Sequence, residues 1–213
     1  MRHQPIDDFL HDLADRVPAP GGGAVAALQL AQAAALLGMV TRFSDGPAYA
    51  DHANVIERVR TESDAVREEA LQTAEDDVAA YTAVGEAYRM PGGAGEQDAT
   101  RSAAIAEALA GAVEPPVAVI AAAARLVVLA EQLLPVGNPQ VVADLAAAVE
   151  AVRAAAAISR VNIEANLRGV ADADERVRLT AVAAGAGTIA GRADAVTAAV
   201  RDRTAPPIAP TEE

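Results

Sequence analysis

The sequence predicts an all-α fold: a bundle of about six or seven helices, one of them very long, in a single domain that works as a dimer. Three observations predict it. Of the 213 residues, 52% are apolar but only 2% aromatic, so alanine, valine and leucine supply the apolar mass. Alanine is the best helix former, and strand-type runs of β-branched and aromatic residues are absent. Apolar residues also recur at helical spacing over long stretches, broken by short proline and glycine turns. Small side chains bury little area each, so the core must draw its stability from close helix approach and many contacts.

The first helix is expected over residues 5–16, where Pro5 suits a first helical position and Ile6, Phe9, Leu10 and Leu13 share a face. It stops at Val17-Pro18-Ala19-Pro20-Gly21-Gly22-Gly23. The second runs from Ala24 to Phe43. It is long and apolar enough to resemble a membrane span, but Gln29 and Gln32 and the lack of flanking bases predict a buried central helix. After the turn at Asp45-Gly46-Pro47, residues 48–90 read as one helix with Val55, Val59, Val66, Ala70, Ala74, Val78, Tyr81 and Tyr88 on one stripe. Its length, roughly 60 Å, overhangs a domain of this size and predicts a partner chain.

Pro91-Gly-Gly-Ala-Gly-Glu96 is a loop, and a fourth helix is expected from about Asp98 to Gly111. Pro115-Pro116 then breaks or kinks the line before a fifth helix over 117–134. Pro135-Val-Gly-Asn-Pro139 is the second conspicuous loop. A sixth helix is predicted from Pro139 to Arg168, with Asn138 as its cap and Gly169 as a left-handed stop. Asp172 caps a last helix that ends near Asp202. Residues 1–203 thus read as one helical domain and 204–213, with three prolines, as a mobile tail.

The formal charge is −13, from 30 acids and 17 bases, and every base is arginine. An acidic chain without a basic block is a poor match for nucleic acid or an anionic membrane. The absence of lysine excludes Schiff-base chemistry, and the absence of cysteine excludes disulfides, thiolate nucleophiles and zinc–thiolate sites. The opening residues hold no apolar signal core, so a cytoplasmic location is expected. His3, His11 and His52 lack ligand-spaced partners and read as solvated helix-end residues; the acidic pairs, Asp76-Asp77 among them, read as solvated faces. No metal site is expected.

Two clusters remain. Pro20-Gly21-Gly22-Gly23 leads into an apolar helix; it is either a tight turn fitted under a neighbour or bare backbone offered to an anion at a helix N-terminus. Gly137-Asn138-Pro139 precedes Asp144, a carboxylate among Val141, Val142, Leu145 and Ala146. If buried beside a cleft, such a group titrates nearer neutrality and can exchange protons. Asn162 and Asn166, an i, i+4 pair, stand five turns beyond Asp144 on the same face, roughly 27 Å away. They are either structural or serve a second region or a partner's site.

Phe9-Leu10 through Leu13-Ala14, Pro18 to Ala27, Asp77-Val-Ala-Ala-Tyr81 with Val84 and Ala87 to Pro91, Gly137-Asn138-Pro139 with Asp144, and Asn162 to Leu167 together resemble the cyclodeaminase/cyclohydrolase family. The chain departs from the family pattern at Ala24, Ala143 and Thr82 and in the turn Asp45 to Tyr49. The resemblance implies a dimeric helical enzyme acting on one-carbon units carried by tetrahydrofolate, with the folate as substrate and no separate cofactor. It implies a catalytic carboxylate at Asp144, and a substrate pocket drawing on Pro20, Gly21, Gly22, Gly23, Asp77, Tyr81, Asn138, Asn162 and Asn166. Two alternatives stand beside it: a relative acting on another amine or cyclic imine, and a non-catalytic helical dimer.

Overall fold

The computed structural model describes residues 2–170 and 172–205. Among them are seven α-helices, three 3-10 turns and no strand. The helices are α1 (Ile6–Ala14), α2 (Gly22–Arg42), α3 (Ala53–Arg89), α4 (Glu96–Gly111), α5 (Glu114–Leu133), α6 (Val142–Asn166) and α7 (Ala173–Thr204). The tail expected at 204–213 lies outside the described residues from position 206 onward, and Thr204 itself closes α7.

α2 is the central helix. Ala26, Ala27, Leu30, Ala33, Ala34 and Leu37 are wholly buried, and the helix packs on α3, α5 and α6. Residues this small let three neighbours approach one axis closely, which is why an apolar helix of membrane-spanning length is enclosed by protein here. Two of them, α3 and α6, run antiparallel to it. Gly23 faces Asp77 while Gly38 faces Asp64 on α3; Gly22 faces Ile158, and the Phe43 carbonyl meets Asn138, at opposite ends of α6.

The long helix begins with a 3-10 turn, Pro47–His52, entered through Gly46 at φ 84°, a left-handed position that glycine takes without strain. α3 proper spans 37 residues. Its apolar stripe is buried only as far as Ala74; Tyr81 and Tyr88, expected to continue it, are more than half exposed. The reason is length. α2 starts opposite Asp77, so beyond that point α3 overhangs, and only α4 covers part of it, at Ala87.

Pro115 and Pro116 interrupt the line as expected: α4 ends at Gly111 and α5 starts at Glu114, three residues earlier than predicted. They occupy the first turn of α5, where a backbone N–H has no partner within the helix, so the prolines start the helix at Glu114. Gly169 is not a left-handed stop. It closes a 3-10 turn, Leu167–Gly169, and any Cβ there would come within 2.9 Å of Leu109 on α4. Asp172 caps α7 as predicted, its Oδ1 accepting from the Glu175 N–H at 2.9 Å, whereas Asn138 Oδ1, accepting from the Gln140 N–H at 2.9 Å, caps the 3-10 turn Pro139–Val141 that leads into α6. α7 is bound to α5 by Arg192, whose guanidinium lies 2.7 and 2.5 Å from the two carboxylate oxygens of Glu131 and holds that carboxyl below its ordinary range.

Candidate functional site

Because α3 and α6 both run against α2, three segments far apart in the chain meet at one end of the bundle. They are the turn before α2, the second half of α3 and the end of α6. They enclose a cavity of about 370 Å³. Val17, Pro18, Pro20 and Gly21–Gly23 form one wall, Asp77, Ala80, Tyr81 and Val84 a second, and Asn162, Ala165 and Asn166 a third; Leu109, Ala112 and Pro116 complete it. The Ala19–Pro20 peptide in the first wall is cis.

Asp77 is the charged residue of this lining. Its carboxyl lies against the first turn of α2, where it accepts from the Ala24 N–H. Burial pushes its pKa up, and the Ala24 N–H opposes that only in part. The glycine triplet is there for this contact: a Cβ on Gly23 would overlap the Asp77 carboxyl, whereas Gly21 has open space and Gly22 meets Ile158 at 3.8 Å. One glycine of the three is therefore required by its neighbour. The anion that meets this helix N-terminus is a carboxylate of the same chain. Tyr81 and Val84 follow Asp77 at i+4 and i+7, so all three project from one face of α3 into the cavity.

Of the residues expected to form the pocket, Pro20, Gly21, Gly22, Gly23, Asp77, Tyr81, Asn162 and Asn166 line it together. Asn138 and Asp144 do not. Asp144 is half-buried in the first turn of α6, eighteen residues before Asn162, at the end of the bundle away from the glycine turn. A straight helix separates those two positions by roughly 27 Å, so within one protomer Asp144 cannot reach this cavity. The catalytic carboxylate that the resemblance implies at Asp144 is therefore not part of this pocket within one protomer. Asn138 is committed elsewhere: besides capping, its Nδ2 donates to the Phe43 carbonyl and its N–H donates to Ser44 Oγ, each at 2.8 Å.

The residue that pattern reading misjudged is Asp77, placed with Asp76 on a solvated face. Asp76 is exposed; Asp77 is not. The signal was present in the apolar i+4 and i+7 neighbours, which mark that side of α3 as a wall. Leu109, Ala112 and Pro116 carried none, since they reach the cavity only through the return of α4 and α5. Among the described residues no three His, Cys, Asp or Glu side chains gather as a metal site.

Residues 5–185 match the model of the formiminotransferase-cyclodeaminase family. A methenyltetrahydrofolate cyclohydrolase from Methylorubrum extorquens is 33% identical over 180 residues, which covers 83% of this chain and 86% of that protein. The formimidoyltransferase-cyclodeaminase of Sus scrofa is 29% identical over 173 residues, 81% of this chain but only 32% of that longer protein. Among solved structures, formiminotetrahydrofolate cyclodeaminase from Thermotoga maritima superposes with a TM-score of 0.79 at 25% identity, over 94% of this chain and 96% of its own.

Proposed function

The chain belongs to the formiminotransferase-cyclodeaminase family, and from that premise we propose that it is a folate-dependent one-carbon enzyme working in the cavity at the head of α2. The reaction is hydrolysis of methenyltetrahydrofolate, the activity carried by the name of the relative that shares nearly its whole length. The observation that supports it most directly is Asp77: an ionisable carboxyl, partly desolvated, in an otherwise uncharged cavity.

The methenyl carbon sits between two nitrogens and carries a delocalised positive charge. An Asp77 carboxylate offsets that charge on binding and takes a proton from the attacking water. A tetrahedral carbon forms, one C–N bond breaks, the departing nitrogen takes a proton from Asp77, and an N-formyl group remains with one proton released. A raised pKa suits a group that must both accept and return a proton near neutrality. The amides of Asn162 and Asn166, across the cavity, offer hydrogen bonds to the pteridine or to the oxygen that develops on the carbon.

Cyclisation of formiminotetrahydrofolate with loss of ammonia is the second reading, favoured by the extent of the match to the Thermotoga maritima enzyme. It passes through the same kind of tetrahedral centre, with ammonia in the place of water. Purified protein is expected to hasten loss of the methenyl absorbance with no added metal or nucleotide; ammonia release from the formimino substrate separates the two readings. Absence of both activities, together with absence of folate binding, would leave only another amine or cyclic imine, or a non-catalytic role.

The working unit in this reading is a homodimer, since the protomer leaves Ile6 and Leu10 on α1 and Tyr81 and Tyr88 on α3 exposed. The cytoplasm, where folates of this kind are handled, suits a chain without cysteine.

A further inference from the structure

α3, α5 and α6 cover α2 on three sides and leave a fourth open. From Ala24 to Thr41, every residue within about 60° of Gln32 around the helix axis is at least partly exposed, and every other one is buried. Phe43, just past the helix, continues this stripe and is 56% exposed. Beside it α6 extends the surface with Ala147, Ala151, Ala154, Ile158 and Val161, half-buried or exposed and all uncharged; Ile158 is the residue that meets Gly22. The stripe is balanced about Gln32, the middle residue of α2: Leu28 and Leu36 lie four residues to either side, Val25 and Met39 seven, Gly21 and Phe43 eleven. Its two ends are unequal in bulk, since a Cβ on Gly21 would meet nothing within 4 Å and Phe43 projects a ring. Gln29 Oε1 is buried on the stripe, and among the described residues it has no donor. Two copies of a chain with charge −13 repel unless they meet where neither is charged, and α2 has no ionisable residue before Arg42.

We propose that this face is the contact with a second copy of the chain, the two α2 helices lying antiparallel about a two-fold axis at Gln32. The inference deepens the dimeric reading above. Leu28 then meets Leu36 of the second copy, Val25 meets Met39, and Phe43 fills the space over the bare Gly21 turn. A parallel pair would set ring against ring, leave the glycines facing a gap and align the two helix dipoles. Gln32 of the second copy comes within a turn of Gln29 and brings the donor that its Oε1 lacks. Two helices about 30 Å long and roughly 10 Å apart outline about 600 Å² per copy, close to the ~800 Å² of a standard interface. α1 borders the same face: Arg2, which leads into it, donates to Glu68 and Glu75 along the side of α3 whose Asp64 pairs with Arg42. Gly21 belongs to the cavity wall, so each copy lends Phe43 to the other's cavity.

The chain has no cysteine, so introduced thiols report only on each other. On mild oxidation Gln32→Cys is expected to give a disulfide-linked dimer, as is the double variant Val25→Cys/Met39→Cys. Val25→Cys alone, Met39→Cys alone and Ala118→Cys, exposed on α5, are expected to stay unlinked. Positions 25 and 39 are roughly 21 Å apart along one helix, so the double variant cannot link to itself. Gln32→Glu keeps the size of an exposed side chain and sets two carboxylates against each other at the axis. In sedimentation equilibrium its dimer should dissociate at least ~10-fold more easily than wild type at pH 7 and recover in acid. A wild-type monomer overturns the inference, and so does a dimer that Gln32→Cys does not link or Gln32→Glu does not weaken. Linkage of Val25→Cys alone, the mark of a parallel pair, overturns it too, as does flotation with phosphatidylcholine vesicles in place of dimerisation. None of these readouts needs turnover, so they stand or fall apart from the folate reading.

Discussion

Asp77 is held where its charged form is disfavoured, and that gives it two separable signatures. Burial raises its pKa above that of the unfolded chain, so the folded protein binds the proton more tightly than the unfolded one. The ionised carboxyl therefore lowers stability at neutral pH, and the penalty disappears once the group is protonated in both states, below about pH 4. Asp77→Asn should raise the melting temperature at pH 7 and leave it unchanged in acid, while turnover falls by ~10²–10⁴-fold. Loss of activity with a lower melting temperature at pH 7 would mark Asp77 as a structural acceptor instead. The glycine turn gives a sharper test of the same contact. Gly23 is helical, so alanine fits its backbone and adds helix propensity, but the new Cβ displaces the Asp77 carboxyl. Gly23→Ala should fold normally and lose at least ~10-fold in turnover, whereas Gly22→Ala, with Ile158 at 3.8 Å, should keep it. Asp144→Asn should leave turnover per folded molecule unchanged, and a large loss there would require a site shared across two protomers.

At the scale of elements, most helices were legible because their signals are local. Proline at a first turn, aspartate at a cap and apolar residues at helical spacing act over a few residues, and α1, α2, α4, α6 and α7 follow them. The errors are also physical. The interruption at Pro115-Pro116 was legible, but the prolines sit in the first turn of α5, so that helix starts at Glu114 and not at 117. Tyr81 and Tyr88 share a stripe with buried residues, yet whether a stripe is covered depends on where another helix begins. Asn138 shows the same division. Its capping role is local and was predicted; its bonds to Phe43 and Ser44 join segments more than ninety residues apart and have no local sign. Asn138→Ala removes the cap and the bond to the Phe43 carbonyl, and should cost ~1–2 kcal/mol in urea unfolding. Because this joint lies at the end opposite the cavity, activity per folded molecule should survive. An inactive but stable variant would place Asn138 back among the functional residues.

For the whole molecule, the helical rise alone separated Asp144 from the two asparagines, but it could not say which of them shares an end with the glycine turn. That choice is made by the antiparallel packing of α6 on α2, a contact between residues more than a hundred positions apart. Exposed apolar side chains stand at the cavity, Val17 and Tyr81 in its walls and Tyr88 beyond them on α3, and α1, which precedes Val17 in the chain, exposes Ile6 and Leu10. α1 buries none of its residues in the protomer, although its apolar side is well separated from Asp7, Asp8 and Asp12. An amphipathic helix with its apolar side in water gains by covering it, and a second copy related by a two-fold axis covers two such helices at once. Sedimentation velocity should therefore show a dimer at micromolar concentration. Leu10 is 53% exposed, so Leu10→Glu should leave the protomer folded by circular dichroism. Burying a leucine is worth about 1.5–3 kcal/mol and occurs twice in such an interface, so dimer dissociation should become at least ~100-fold easier. A wild-type monomer, or a Leu10→Glu protein that dimerises as tightly as wild type, would put the interface on another face of the bundle. The cavity would then have to be complete within one chain.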